Sequence, residues 1–160
     1  MSKRLRGLPP VVDKRTEIII LGSMPGEMSL KKKQYYGHKG NHFWKIITDI
    51  LGEKDTGVYA ERIDLLKKHR IGLWDVIGSC LREGSRDDRI LSPEVNDIPR
   101  MVSRAPGIRA ILLNGRKAEE LFNKNFSTSG LTVTALPSTS ALNAISIDEK
   151  TEMWRNAIKE

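Results

Sequence analysis

Apolar residues along the chain come in short blocks that alternate between two spacings. Thr16-Glu-Ile-Ile-Ile-Leu21 is a continuous β-branched run closed by Gly22, the pattern of a strand buried on both faces. Arg109-Ala-Ile-Leu-Leu-Asn114 into Gly115 and Leu131-Thr-Val-Thr-Ala-Leu136 into Pro137 are two further strand-then-loop units. Elsewhere the period is helical. Phe43, Ile46, Ile47, Ile50 and Leu51 predict a helix that begins at Asn41, whose side chain suits an N-cap, and stops at Gly52. Further helices are expected over Val58–His69, over Asn96–Arg104 with Asp97 in its first turn, from Gly115 to about Lys124, and over Asp148–Lys159. The stretch Gly22–Gly40 reads as a long polar connection. Strands that alternate with helices imply right-handed crossovers and strands covered on both faces. The expected fold class is therefore α/β, a single three-layer α/β/α sandwich with a short, mainly parallel central sheet. In such a sheet ligands gather outside the carboxyl ends of the strands. That rule nominates Gly22–Gly26, Asn114–Lys117 and Pro137–Asn143, with Gln34–His42 tethered to the first.

At 160 residues, 39% hydrophobic and 29% charged, the chain suits one globular domain spanning residues 1–160, with residues 1–15 as a basic N-terminal segment. Its longest apolar runs are far too short to cross a bilayer, and no apolar stretch follows the basic start before Asp13 and Lys14. A cytoplasmic location is expected, with no membrane partner. The single cysteine, Cys80, excludes an intramolecular disulfide or an iron–sulfur cluster held by four thiolates of this chain, and is expected in the core. A formal charge of +7 favours a polyanionic partner. Lys3, Arg4, Arg6, Lys14 and Arg15 precede the first strand, and Lys31, Lys32 and Lys33 follow it closely. The charge-dense run Arg82–Arg89 reads as a solvated surface loop, which leaves Asp87 and Asp88 as weak candidates for catalytic carboxylates.

The candidate chemistry lies in the nominated loops. Gly22-Ser23-Met24-Pro25-Gly26 is a tight turn that lets a backbone approach a ligand closely, but it matches neither the dinucleotide fingerprint nor a phosphate-binding P-loop. Gln34-Tyr-Tyr-Gly-His-Lys-Gly-Asn-His-Phe-Trp44 crowds aromatic rings, amides and imidazoles together. Rings of this kind stack on bases, and amides and imidazoles read or protonate base edges. Phe43 and Trp44 are expected in the core of the following helix, whereas Tyr36 and Asn41 carry the functional expectation. His38 and His42 lack paired ligand spacings, so no metal site is expected. Pro137-Ser138-Thr139-Ser140 offers three hydroxyls beside backbone N–H groups, a cradle suited to phosphate oxygens.

Taken in order, the strand into GSMPG, then QYYGHKGNHFW, GLWDVIGSC, LLNGRKA and LPSTSALNA resemble the uracil-DNA glycosylase superfamily. Within it the chain most resembles the hypoxanthine-DNA glycosylase family, over about Glu17–Trp154. The resemblance implies a monofunctional DNA glycosylase that hydrolyses the N-glycosidic bond of a flipped deaminated base, hypoxanthine first and uracil second, without metal or cofactor. A monomer is the default expectation for a one-domain protein that must approach duplex DNA. The resemblance also implies catalysis by Asn41, in a water-positioning or base-polarising role, with His42 or His38 protonating the base. Gly22, Ser23, Met24, Pro25, Tyr36 and Asn114 would line the base pocket, with Tyr36 stacked on the base. Pro137, Ser138, Thr139 and Ser140 would hold the flanking phosphates, and Leu142 would wedge into the base stack. Two departures stand out: Met24 occupies the position where mismatch-specific relatives carry a water-holding Asn, and Ala141-Leu142-Asn143 replaces the usual Pro-Ala-Asn. The alternative reading is a catalytically silent nucleic-acid-binding module on the same fold.

Overall fold

The computed structural model describes residues 3–127 and 130–159. Along the chain run β1 (Leu5–Arg6), β2 (Ile18–Gly22), α1 (Glu27–Lys32), α2 (Phe43–Leu51), α3 (Tyr59–Lys68), β3 (Ile71–Asp75), β4 (Ile77–Leu81), β5 (Leu91–Val95), α4 (Ile98–Arg104), β6 (Ala110–Asn114), α5 (Arg116–Asn125), β7 (Thr132–Leu136) and α6 (Ile147–Lys159). A 3-10 turn spans Asp87–Arg89. The main sheet has the order β3-β2-β6-β7, and every pairing in it is parallel.

Strand periodicity divides the core between the two faces of that sheet. Ile18 and Ile20, with Leu73 and Leu112, meet Phe43, Ile46, Ile47, Leu66 and Trp154 from α2, α3 and α6. Ile19 and Leu21, with Ile111 and Leu113, meet Ile98, Met101, Ala118 and Phe122 from α4 and α5, together with Ile77 and Cys80 of β4. Each of these buried side chains stabilises the fold by about 1.5–3 kcal/mol relative to exposure. The continuous apolar run in β2 is thus explained: all five of its residues are buried. Helices on both faces give the expected three-layer arrangement.

Beyond β3 the chain steps out of the parallel sheet into a second, antiparallel one, of order β1-β4-β5. Part of the basic N-terminal segment is therefore structured: Leu5 and Arg6 pair with Cys80 and Ser79, and Val11 bridges Leu73. Neither β3, β4, β5 nor α1 was expected from the sequence pattern. In β3 a glycine and an aspartate interrupt the apolar run, and β5 (Leu-Ser-Pro-Glu-Val) is exposed along its whole length. Asp97 is the N-cap of α4 rather than a first-turn residue, and its carboxylate accepts the Arg100 N–H at 3.1 Å. No helix among the described residues is long and apolar enough to cross a membrane.

Parallel register brings four strand ends to one crest. Gly22 lies beside Asp75, Leu21 beside Leu113, and Asn114 beside Leu136.

Candidate active site

The first loop leaves the crest at Gly22. A Cβ there would lie 2.6 Å from Asp75 Oδ1 and 3.4 Å from the Tyr36 hydroxyl oxygen, so only glycine allows those two groups to converge on this α-carbon. Ser23 donates its hydroxyl to Asp87 Oδ1 at 2.7 Å. The Pro25 carbonyl accepts from Arg82 Nη2 at 2.6 Å. Met24 does not face a base: its side chain is buried in the core on the α4–α5 face of the sheet. That environment is apolar and suits a thioether.

Opposite this loop, the Gln34–His42 segment closes over the crest. Tyr36 has φ of 54°, a left-handed conformation that costs a non-glycine residue about 1–2 kcal/mol. Two contacts hold it there. Its ring stacks on Phe43 with centroids 3.9 Å apart and planes 19° apart, worth about 0.5–1.5 kcal/mol beyond burial, and its hydroxyl accepts from Asn114 Nδ2 at 3.1 Å. Burial, then the carboxyls of Asp75 and Asp87, hold the Tyr36 phenol well above its usual range, so it keeps its proton.

From Asn114 a chain of hydrogen bonds runs to Asn41. Asn114 Nδ2 donates to Thr139 Oγ1 at 3.1 Å, and Asn114 Oδ1 accepts the Thr139 N–H at 3.0 Å. Thr139 Oγ1 in turn donates to Asn41 Oδ1 at 2.8 Å. The same Asn41 oxygen accepts the Phe43 N–H at 2.9 Å, which fixes its orientation, because a backbone N–H can only donate. Both lone pairs of Asn41 Oδ1 are thereby engaged, while its Nδ2 has no partner among the described residues. Asn41 sits one position before the helix N-cap, His42, yet its oxygen caps the first N–H of α2. The backbone also joins in, with His42 N–H donating to the Thr139 carbonyl at 2.9 Å. His42 Nδ1 is buried without a partner, whereas the exposed His38 accepts the Gly40 N–H at its Nδ1.

In the third loop, Thr139 departs from expectation. At 1% exposure and committed to both asparagines, its hydroxyl is turned away from any phosphate. Ser138 and Ser140 remain partly exposed, accepting the N–H groups of Ser140 and Leu142 and keeping their own protons to donate. Beneath them, fully buried Lys150 donates to the Ser140 carbonyl at 3.0 Å, and Trp154 Nε1 donates to the Pro137 carbonyl at 3.0 Å. Leu142 projects from the loop with 82% exposure.

One polar residue at the crest carried no expectation. Asp75 is buried at the end of β3, neither of its side-chain oxygens has a hydrogen-bond partner among the described residues, and Oδ2 is sealed from solvent. Burial, then the charge of Asp87, pushes its carboxyl up to about 7, against a smaller opposing pull from Arg82. Its sequence signal is a single charge inside the apolar run Ile71–Ile77. The Arg82–Arg89 loop is solvated as expected from Glu83 to Arg89, and only Arg82 is buried, with Nη1 unpartnered; exposed Asp87 accepts from Ser23 while Asp88 pairs with Arg86. A cavity of about 370 Å³ between Pro10, Trp74 and Met101 lies on a flank and shares no residue with this network.

Comparison with known proteins places these features in context. The family described as the uracil DNA glycosylase superfamily matches residues 9–160. A hypoxanthine DNA glycosylase of Methanosarcina barkeri strain Fusaro is 39% identical over 155 residues, covering 96% of this chain and 98% of that one. A hypoxanthine DNA glycosylase of Methanosarcina acetivorans is 42% identical over 139 residues, 86% of this chain and 87% of its own. Among solved structures, the solution NMR structure of a candidate uracil DNA glycosylase from Methanosarcina acetivorans matches with a TM-score of 0.83 at 38% identity, covering 98% of each chain.

Proposed function

This chain belongs to the uracil DNA glycosylase superfamily, and from that premise we propose that it excises a deaminated base, hypoxanthine before uracil, from DNA. The observation that carries this reading is the hydrogen-bonded arc Tyr36–Asn114–Thr139–Asn41, which joins three loops over the crest of a parallel sheet. Glycosylases must take the target base out of the stack and hold it in a shaped site. Here Tyr36, backed by Phe43, supplies the stacking face, and Gly22 supplies the close backbone floor.

Asn41 takes the base-polarising role. Its oxygen is saturated by Phe43 and Thr139, so what it offers the reacting centre is its N–H₂, a donor that stabilises charge gathering on a departing base. A preorganised donor of this kind is worth about 2.7–4 kcal/mol in the transition state. Of the two imidazoles, exposed His38 is oriented by the Gly40 N–H at its Nδ1 with Nε2 left to meet a base, whereas His42 Nδ1 is sealed from solvent and without a partner. Ser138 and Ser140 donate their hydroxyls to backbone phosphates, and Leu142 occupies the vacated stack. The silent-module alternative rested on Met24. With Met24 in the core and Asn41 presenting an amide at the crest, that departure leaves the crest no poorer in chemistry.

The test is release of free base from duplexes carrying one deoxyinosine or one deoxyuridine, with wild type beside Asn41→Ala. Wild type is expected to release hypoxanthine, and Asn41→Ala to be slower by about 10²–10³ with duplex binding retained. Binding without release of either base by wild type would reinstate the silent module.

A further inference from the structure

The loop after β4 folds back onto the first loop of the crest and grips it at three places. Arg82 Nη2 donates to the carbonyl of buried Pro25 at 2.6 Å, while Arg82 Nε donates to the Gly84 carbonyl at 2.8 Å. The Glu27 N–H donates to Ser85 Oγ at 2.9 Å, and the Ser23 hydroxyl donates to Asp87 Oδ1 at 2.7 Å. The two loops are also in close contact, since a Cβ at Gly26 would lie 3.3 Å from Ser85 Oγ. At the start of the first loop, the carbonyls of Gly22 and Ser23 accept the N–H groups of Val76 and Ile77 at 2.8 and 3.0 Å.

Arg82 is the energetically expensive member of this set. It is 5% exposed, and its Nη1 is sealed from solvent with no partner among the described residues. The carboxyls of Asp75 and Asp87 lie within its electrostatic reach, and its charge pulls both downward. Taking a guanidinium out of water is costly, and an apolar side chain would fill the same space at less expense. What arginine adds is a planar fork of donors, able to tie a carbonyl of its own loop to a carbonyl of the first loop.

We propose that Arg82 is a positioning residue for base release, which with Ser85 and Asp87 clamps the Gly22–Gly26 backbone at the height where the flipped base meets it. The inference rests on the glycosylase reading above and adds a group that touches neither base nor sugar. Arg82 acts through Pro25. The proline ring already fixes φ, so anchoring the carbonyl leaves that residue no soft backbone dihedral. With the carbonyls of Gly22, Ser23 and Pro25 all held, and the Met24 side chain buried in the core between them, the loop meets an incoming base as a preset surface. A displacement of about 1 Å at a reacting centre is enough to cost on the order of 10²-fold in rate.

The test is single-turnover release from the deoxyinosine duplex as a function of protein concentration. It compares wild type, Arg82→Ala, Ser85→Ala and the double variant, at a temperature where circular dichroism shows each to be folded. The maximal rate of Arg82→Ala should fall about 30- to 100-fold. Its half-saturating concentration should stay within about threefold of wild type, because no contact with DNA is removed. Ser85→Ala, which loses one hydrogen bond of the same clamp, should be slower by about three- to tenfold. Added to Arg82→Ala it should cost less than about twofold more, because a clamp already open has little left to lose.

A folded Arg82→Ala within about threefold of the wild-type maximal rate, or a loss confined to half-saturation, overturns the proposal and leaves the glycosylase reading standing. Losses that multiply in the double variant overturn it too, since they assign the two residues independent roles. If Arg82→Ala does not fold, Ser85→Ala decides alone, its site being exposed: release at the full wild-type rate overturns the proposal. A wild type that releases neither base defeats the glycosylase reading, and this inference falls with it.

Discussion

At Asp75 the protonation state matters to the fold before any DNA is bound. Its carboxyl sits at about 7 in the folded chain against 3.8 for an ordinary aspartate. A raised folded value means that the folded state holds the proton more tightly. The associated stability is complete below the unfolded value and is lost as pH rises through the folded one. Between about pH 4 and about pH 7 the wild type should lose stability relative to Asp75→Asn, by on the order of 4 kcal/mol as an upper bound, since each pH unit is worth about 1.4 kcal/mol. Thermal unfolding of both proteins across that range checks this, and parallel curves would refute it. Tyr36 and Asn41 show what a residue-level reading can reach: a bulky ring and an amide in a loop point to function, and both stand at the crest. What it could not reach is direction. Nothing in the string Gly-Ser-Met-Pro-Gly tells that Met24 turns into the core, and nothing in Pro-Ser-Thr-Ser tells that the middle hydroxyl points inward.

Direction is set one scale up, by the elements. The loop 137–143 is held from below by α6, through Lys150 to the Ser140 carbonyl and Trp154 to the Pro137 carbonyl. A fully buried ammonium is costly, and burial lowers the Lys150 pKa. Its position beneath the partly exposed Ser138 and Ser140, proposed above to meet backbone phosphates, would give that cost a purpose in electrostatics. Lys150→Met, which keeps most of the unbranched apolar stem and removes the charge, should leave the melting temperature within a few degrees. It should weaken binding to a lesion-bearing duplex by about three- to tenfold, as read by fluorescence anisotropy. Unchanged affinity would show the lysine to be packing alone. The elements legible in the sequence were those with unbroken spacing: β2, β6, β7 and the amphipathic helices α2, α5 and α6 follow their residue pattern closely. The strands that escaped notice are those whose apolar pattern is interrupted or absent, even where, as in β3, the strand is nearly all buried. Asp75 breaks β3 because it belongs to the crest, and β5 carries no apolar pattern because it buries nothing.

For the molecule as a whole, the net charge of +7 translates into salt dependence. Exposed Lys39 lies on the segment that closes over the crest, and exposed Lys31 and Lys33 lie on α1 and at its C-cap, just before that segment. Each phosphate neutralised contributes about −0.9 to the slope of log K against log salt. A plot for the deoxyinosine duplex should therefore fall with a slope of about −3 or steeper, and joint replacement of these three lysines by alanine should flatten it by about 2–3. A slope indifferent to the replacement would place the DNA elsewhere. The same long-range architecture has a consequence for how excision begins. The hydrogen bond from Thr139 to Asn41 spans 98 residues, and the bonds tying Asn114 to Thr139 span 25. A chain emerging from the ribosome displays its lysines and its Tyr36 long before Thr139 has been added. Competence to cut therefore arrives late and in one step, when the final strand, loop and helix dock. A chain that ends before Thr139 carries every one of those lysines and still cannot close the arc over the crest.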